Sequence, residues 1–433
     1  MNVYHRDAFA AGSDGFLSSR RGLLFVWAAV LLFAGIYIWL DVNKLHALRF
    51  GSNTGSYLQA ALNFLHSGST LDYGDWHPET AQHDQWMLLV LVPFVALWAS
   101  PVTLIVVQVL SIALAAPLLY LLGRRFGASD SVAAVVACAY LISPSVQGFA
   151  YGEFVPLVFV PVLACALTLA VSEKRLLWAL VFAQLLTGTK EDVGLFVVWF
   201  GLVCALLYDR RIGIAVLLLG LVNVGAYEYS EHISRVAAVR PPYALRDPGI
   251  LQQLAFFAEV LAPFAFAPLR LGWRVLLAAP LAAELMLAQG WPFPLYQAGV
   301  YYDIPLITAI AIASAYAAAR TPRFARVMPA CALIMALAFN VTVLHVGRKP
   351  FTQDPQYAAA AAWSRTTQPV TFPCEDQGAW VVASPNVNAK LAGCSDTRGF
   401  AQTRPAWKDV PLNSSAEWTR GPRAGTDPRA AAR

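Results

Sequence analysis

The sequence predicts an all-α polytopic membrane protein: a bundle of roughly eleven transmembrane helices, a large first loop on the outer side and a small polar C-terminal segment. Three observations predict it. Of the 433 residues, 58% are hydrophobic and only 13% are charged, with a mean hydropathy of +0.54, whereas soluble domains average about 45–50% apolar and about 25% charged. Apolar runs close to the length that crosses a bilayer recur along the chain. Basic residues gather at alternate ends of those runs. The net charge of +5 is therefore a topology signal, and no basic patch interleaved with aromatics points to nucleic acid.

Residues 1–21 form a cytoplasmic N-terminus. The first span, Gly22–Leu40, follows Arg20 and Arg21 and lacks a small-residue cleavage site, so it reads as a retained signal anchor. The further spans are Pro101–Gly123, Ser131–Gln147, Phe154–Val171, Leu176–Gly188, Val193–Tyr208, Ile212–Tyr227, Leu251–Leu269, Val275–Gln289, Ile304–Ala319 and Val327–Val346. With the N-terminus inside, the inner ends carry Arg6, Arg20, Arg21, Arg124, Arg125, Lys174, Arg175, Arg210, Arg211, Arg270, Arg274, Arg320, Arg323 and Arg326. This alternation holds only if the short, Pro93-containing run Trp86–Trp98 does not cross the membrane, so it reads as an interfacial helix in the first outer loop.

The transmembrane domain thus occupies 22–346, with its first outer loop at 41–100 and the C-terminus outside. Residues 347–403 include the alternating WVVASPNV and read as a small outer appendage. Residues 404–433 have a disordered composition, rich in Pro, Ala and Arg. Cys138, Cys165, Cys204 and Cys331 lie in apolar spans as packing residues, and Cys374 and Cys394 are close enough in sequence to pair in an oxidising compartment.

The polar residues that the spans do not explain fall on the outer side. The first loop carries Asp72, Asp75, His77, Glu79, His83 and Asp84, oxygen and imidazole groups suited to general-base work or to a divalent ion, although no metal-ligand spacing is present. Glu153 follows the helix break at Ser143-Pro144 and offers a second acidic group for the same site, or a carboxylate favoured by a helix start. Lys190-Glu191-Asp192 sits between two apolar spans, where Lys190 can meet a lipid phosphate or form a local ion pair. Arg235, Arg240 and Arg246 run against the inner bias and suit a phosphate or pyrophosphate. Glu284 lies deeper, within an apolar run.

The stretches LLTGTKEDVGLFVVWFGL, PVTLIVVQVLSIALAAPLLYLLGRRFG and LISPSVQGF resemble a bacterial multi-spanning membrane family, number 2079 of the domains of unknown function. The similarity runs from about Gly51 to Ala319, and VVASPNVNAKLAG resembles that family's outer C-terminal segment. The family in turn is similar to the GT-C superfamily of membrane glycosyltransferases. That resemblance implies a GT-C-like helical bundle in a bacterial inner membrane, with a cytoplasmic N-terminus, a periplasmic C-terminus and interfacial helices in the first loop. It also implies a polyprenyl-phosphate-linked sugar donor, a lipid or glycan acceptor and contact with membrane lipid. Gly55, Gln59, His83, Lys190, Glu191 and Asp192 match the family pattern. At the place where GT-C enzymes carry a catalytic carboxylate this chain has Asn53, which cannot act as a base.

The expected catalytic residues are therefore Asp72, Asp75, Asp84 and Glu153. Asn53, Gln59, His83, Lys190, Glu191, Asp192 and Arg240 are expected on the substrate, and His77, Glu79 and His83 are the candidate ligands should a divalent ion bind. The alternatives are a transporter or flippase of lipid-linked or small substrates, and a GT-C-like scaffold without chemistry.

Overall fold

A computed structural model of the chain describes residues 20–46, 52–67, 72–73, 77–78, 85–234, 250–287, 301–339, 379–383, 397–399 and 418–423. Helix α1 spans Arg20–His46 and α2 spans Ser52–Ser67. A 3-10 turn at Trp86–Leu91 runs into α3, Val92–Leu97. Then follow α4, Pro101–Ala113, α5, Ala115–Arg125, α6, Asp130–Ile142, and α7, Pro144–Ala150. Helix α8 is Val160–Ser172, led in by a 3-10 turn at Pro156–Phe159, and α9 is Leu176–Thr187. Helices α10, Glu191–Leu207, and α11, Arg210–Ser234, form an antiparallel hairpin. The remainder comprises α12, Ile250–Leu261, α13, Ala279–Leu287, α14, Ile304–Arg320, and α15, Arg323–Phe339.

The molecule is a helical membrane protein. A helix lies in each of the eleven apolar segments, but among the described residues only three helices are long and apolar enough to cross a bilayer: Arg21–Leu45, Pro101–Arg125 and Arg210–Tyr229. A fourth results if α6 and α7, bent by 53° across Ser143, form one broken span. The shortfall has local causes. Pro144 takes the first position of α7 and holds Ser143 extended (φ −66, ψ 141), which ends α6. Pro156 imposes a tight turn before α8, and the left-handed pair Ala265 and Phe266 (φ 52 and 56) interrupts the chain after α12. The apolar run Trp86–Leu97 is one of the shorter apolar helices, as are Pro156–Ser172, Leu176–Thr187, Gln253–Phe264 and Ile304–Arg320.

Helices α4 and α5 form the buried centre, with 67% of their apolar window inside the protein, against 28% for α1 and for α11. Leu24, Phe25, Leu31, Leu32 and Trp39 of α1 stay exposed, the surface that lipid covers in a spanning helix. At one end of the bundle α1 is tied to α6 and α5: the Gly22 N–H donates to Asp130 Oδ2 at 3.0 Å, and the Tyr120 hydroxyl donates to Asp130 Oδ1.

Close approach holds the α10–α11 hairpin. A Cβ on Gly213 would lie 2.0 Å from the Ala205 nitrogen, and one on Gly201 would lie 2.4 Å from the Leu217 nitrogen. In lipid, where apolar side chains gain little by leaving the solvent, such backbone contact supplies the packing energy. Gln184 of α9 and Asn223 of α11 add reciprocal amide bonds of 2.9 and 3.0 Å.

Short strands complete the description. β1, Asp72–Tyr73, pairs antiparallel with β2, His77–Pro78. β3, Ala379–Ala383, lies between β4, Thr397–Gly399, in parallel and β5, Trp418–Arg423, antiparallel. β5 thus falls within the stretch whose composition reads as disordered; its residues find ladder partners in the Val381-Val382 strand. Cys374 and Cys394 lie outside the described residues, and the four cysteines in the apolar spans are free thiols.

A side chain at Gly213 has to push α10 and α11 apart, so Gly213→Val is expected to cost about 1–3 kcal/mol or more. Gly35→Val, with nothing within 4 Å of its would-be Cβ, is expected to be near neutral. Thermal unfolding of the two variants in one detergent measures the difference.

Candidate active site

The segment from Pro144 to Phe159 threads between two polar clusters at one end of the bundle. Its path follows from the helix break. Once Pro144 has redirected the chain, α7 has only seven residues, and its last carbonyls have no helical partner. Gln108 of α4, buried in the span, supplies one: its Nε2 donates to the carbonyls of Phe149, Ala150 and Gly152 at 3.1, 3.2 and 3.1 Å. Two amide hydrogens serve three acceptors, so at least one bond is shared. Gln147 of α7 accepts from the Tyr37 hydroxyl of α1 at 2.9 Å, and Ser145 donates to Asp303 Oδ2 at 2.6 Å.

The first cluster lies where α1, α2 and the turn after α7 meet. The Asn53 N–H donates to Glu153 Oε2 at 2.9 Å, and the Phe154 N–H donates to Thr54 Oγ1 at 3.1 Å. Glu153 thereby caps the first turn of α2, where unpaired N–H groups and the helix dipole favour an anion. The Tyr57 and Phe154 rings meet edge to face at 5.7 Å just below. Lys44 approaches from α1, donating to the Tyr151 carbonyl at 2.6 Å. Asp41, one helical turn earlier and fully buried, is its electrostatic partner. α1 continues to His46, so these two residues belong to its last turns although hydropathy assigns them to the loop.

The second cluster is built on the tight turn between α9 and α10. Lys190 is extended (φ −170, ψ 154) and precedes Glu191 and Asp192, whose charges suit the first turn of α10. The Lys190 ammonium forms an ion pair with Asp192 and lies 5.3 Å from the centre of the Tyr302 ring. Burial works against its charge, but the Asp192 and Glu191 carboxylates outweigh it and hold Lys190 above its ordinary range, so it stays protonated. Beside it a cavity of about 20 Å³ is lined by Asp192, Glu284 and Tyr302 on one side and by Leu157, Phe196 and Leu306 on the other. That is room for about one water. Asp192 Oδ1 is buried there with no hydrogen-bond partner among the described residues.

The first loop is latched onto this turn. The Met87 N–H donates to the Gly188 carbonyl at 2.9 Å, and the Trp86 indole lies so close that a Cβ on Gly188 would fall 2.1 Å from it.

The structure therefore brings Asn53 to Glu153, and gathers Lys190, Glu191, Asp192 and Glu284 into one charged cluster, of which Asp192 and Glu284 line the cavity. Gln59 lies buried further along α2 and donates to Asn63 Oδ1 at 2.9 Å, away from both. Asp72 and His77 belong to the β1–β2 pair, and Asp75, Glu79, His83, Asp84 and Arg240 lie outside the described residues. Among the described residues no group of three or more His, Cys, Asp or Glu side chains is arranged to hold a metal. Sequence reasoning missed Lys44, Gln108, Tyr302 and Trp86 as site residues, and left Asp41 at the start of the first outer loop, 41–100. A sequence signal existed for the Asp41 and Lys44 pair, since charges three apart at the end of an apolar helix share one face.

Fold and site together define a helical membrane protein with a polar, carboxylate-bearing end. Residues 51–225 match the family described as "Predicted membrane protein (DUF2079)", the family that the motifs resemble. The matched region contains Asn53, Glu153 and the Lys190-Glu191-Asp192 turn, and ends before Glu284 and Tyr302. No curated protein sequence matches the chain.

Lys190→Met leaves the Asp192 carboxylate, only 22% exposed, without its cation. Breaking a buried pair in this way is expected to cost about 3–5 kcal/mol, and adding Asp192→Asn to recover most of the loss. Thermal unfolding of the single and double variants checks both parts.

Proposed function

We propose that this chain is a GT-C-like membrane glycosyltransferase that moves a sugar from a polyprenyl-phosphate donor to a periplasmic or lipid-linked acceptor. The observation that carries the reading is the Glu153 carboxylate resting on the backbone of Asn53 at 2.9 Å. Position 53 is where the resemblance expects a carboxylate, and here the carboxylate arrives from the turn after α7 instead. Glu153 then takes the proton of the acceptor hydroxyl. The new glycosidic bond forms as the bond from the sugar to the phosphate oxygen breaks, and the polyprenyl phosphate departs. Lys190 keeps donors beyond the one given to Asp192 and faces the leaving phosphate, while lipid carries the prenyl chain. A sugar is many times the volume of the present cavity, so the site has to widen when the donor binds.

One observation favours transport instead: the broken α6–α7 span, bent by 53°, has the form of the discontinuous helices that hold substrate in transporters. The two readings separate on Glu153. Loss of a general base lowers transfer by about 10²–10⁴-fold, so Glu153→Gln is expected to abolish the glycan modification that the wild type restores to a deletion strain, read by mass spectrometry of envelope glycolipids. Asn53→Asp in the Glu153→Gln background returns a carboxylate to the same place and is expected to restore part of it. Full modification by inserted Glu153→Gln protein contradicts the assignment.

A further inference from the structure

Asp41 is fully buried at this end of the bundle, at 0% exposure. Neither of its carboxylate oxygens has a hydrogen-bond partner among the described residues. A buried carboxylate in that state depends on a countercharge. Lys44 supplies it from one turn further along the same face of α1, and Lys44 also feels the charge of Glu153. Asp41 is too deeply enclosed to touch a substrate and does not line the cavity. Whatever it does for the site, it does through Lys44.

The ammonium of Lys44 holds Tyr151 in two ways, by the 2.6 Å bond to its carbonyl and by lying 4.6 Å from the centre of its ring. Tyr151 is two residues before Glu153. From the other side Gln108 holds Phe149, Ala150 and Gly152. The turn that presents Glu153 is thus held by an amide from α4 and by a cation from α1 that stands one helical turn beyond Asp41.

We infer that Asp41 is a positioning residue for the Glu153 carboxylate, acting through Lys44 on the Tyr151 turn. The functional meaning of this rests on the reading of Glu153 as the base, whereas the positioning itself can be measured without any substrate. Two amide hydrogens report it: Asn53 N–H, bonded to Glu153, and Phe154 N–H, bonded to Thr54.

The experiment is hydrogen–deuterium exchange on the full chain in lipid nanodiscs, comparing wild type with Asp41→Asn, Lys44→Met, Lys44→Arg and the double variant D41N/K44M. Opening of a local contact raises exchange only where the contact protects, so Asp41→Asn and Lys44→Met are each expected to speed exchange at Asn53 and Phe154 by about tenfold, with α10 amides unchanged. The double variant is expected to be no faster than the faster single one, because both residues act along one path. Lys44→Arg keeps a cation and is expected to stay near wild type, a rescue that a role in packing alone does not give. The inference is overturned if Asp41→Asn leaves both amides within twofold of wild type, if every helix exchanges faster alike, or if the double variant adds the two effects. Should Asp41→Asn not accumulate, the double variant D41L/K44M, which leaves neither charge unpaired, is compared with Lys44→Met. Equal exchange supports the inference and a further increase overturns it. Inactivity of Glu153→Gln in the transfer assay is a separate result, so failure of the positioning and failure of the base assignment are told apart.

Discussion

An amide side chain inside an apolar span has to find its partners in protein, and Gln108 finds three carbonyls at the end of α7. Leaving buried polar groups unpaired costs about 1–3 kcal/mol each, and the end of a seven-residue helix exposes several. The contact explains how a helix broken by Pro144 can end inside the bundle and still deliver an ordered turn. That turn places Tyr151 against Lys44 and Glu153 against the first residues of α2, and its continuation carries Leu157 to the wall of the cavity. The Gln108 contact is thus one of the supports of the turn that carries Glu153, beside the Tyr37–Gln147 and Lys44–Tyr151 bonds.

The clusters differ in electrical character. Around Lys190 the carboxylates of Asp192 and Glu191 keep the ammonium charged but already engaged. Around Glu153, among the described residues, Lys44 interacts with two carboxylates, Asp41 and Glu153. Neither cluster is an open cationic patch, so a phosphate bound here would be held by Lys190 donors not used by Asp192, with the carboxylates kept from facing it directly. The latch of Trp86 on Gly188 places the end of the first loop beside that ammonium.

The apolar segments, the break at Ser143-Pro144 and the polar turn at Lys190 were legible in the sequence because each is a local pattern: hydropathy, a proline, three consecutive charges. Glu153 was legible as a candidate for the same reason, being a lone carboxylate after a helix break. Its contact was not, since Asn53 lies 100 residues away. Gln108 reads as one polar letter in an apolar run, and its acceptors are 41 to 44 residues off. The end of α1 was misplaced because hydropathy stops at the first charge, whereas the helix runs on through Asp41 to Lys44, whose ammonium bonds the Tyr151 carbonyl. Of the eleven apolar segments, the described residues show three helices long enough to cross a bilayer, or four with the broken pair, because hydropathy does not register the proline and left-handed residues that break helices at Ser143 and at Ala265.

The central claim is that one end of the bundle is a transfer site assembled by the turn after α7. Cryo-electron microscopy of the chain in nanodiscs containing a polyprenyl phosphate tests it most directly. The account predicts headgroup density within hydrogen-bond reach of Lys190, on the side facing Glu153, with the Trp86 latch displaced from Gly188. A headgroup absent from that end, with a solute bound instead at the α6–α7 break in mid-span, would contradict it and leave transport as the function.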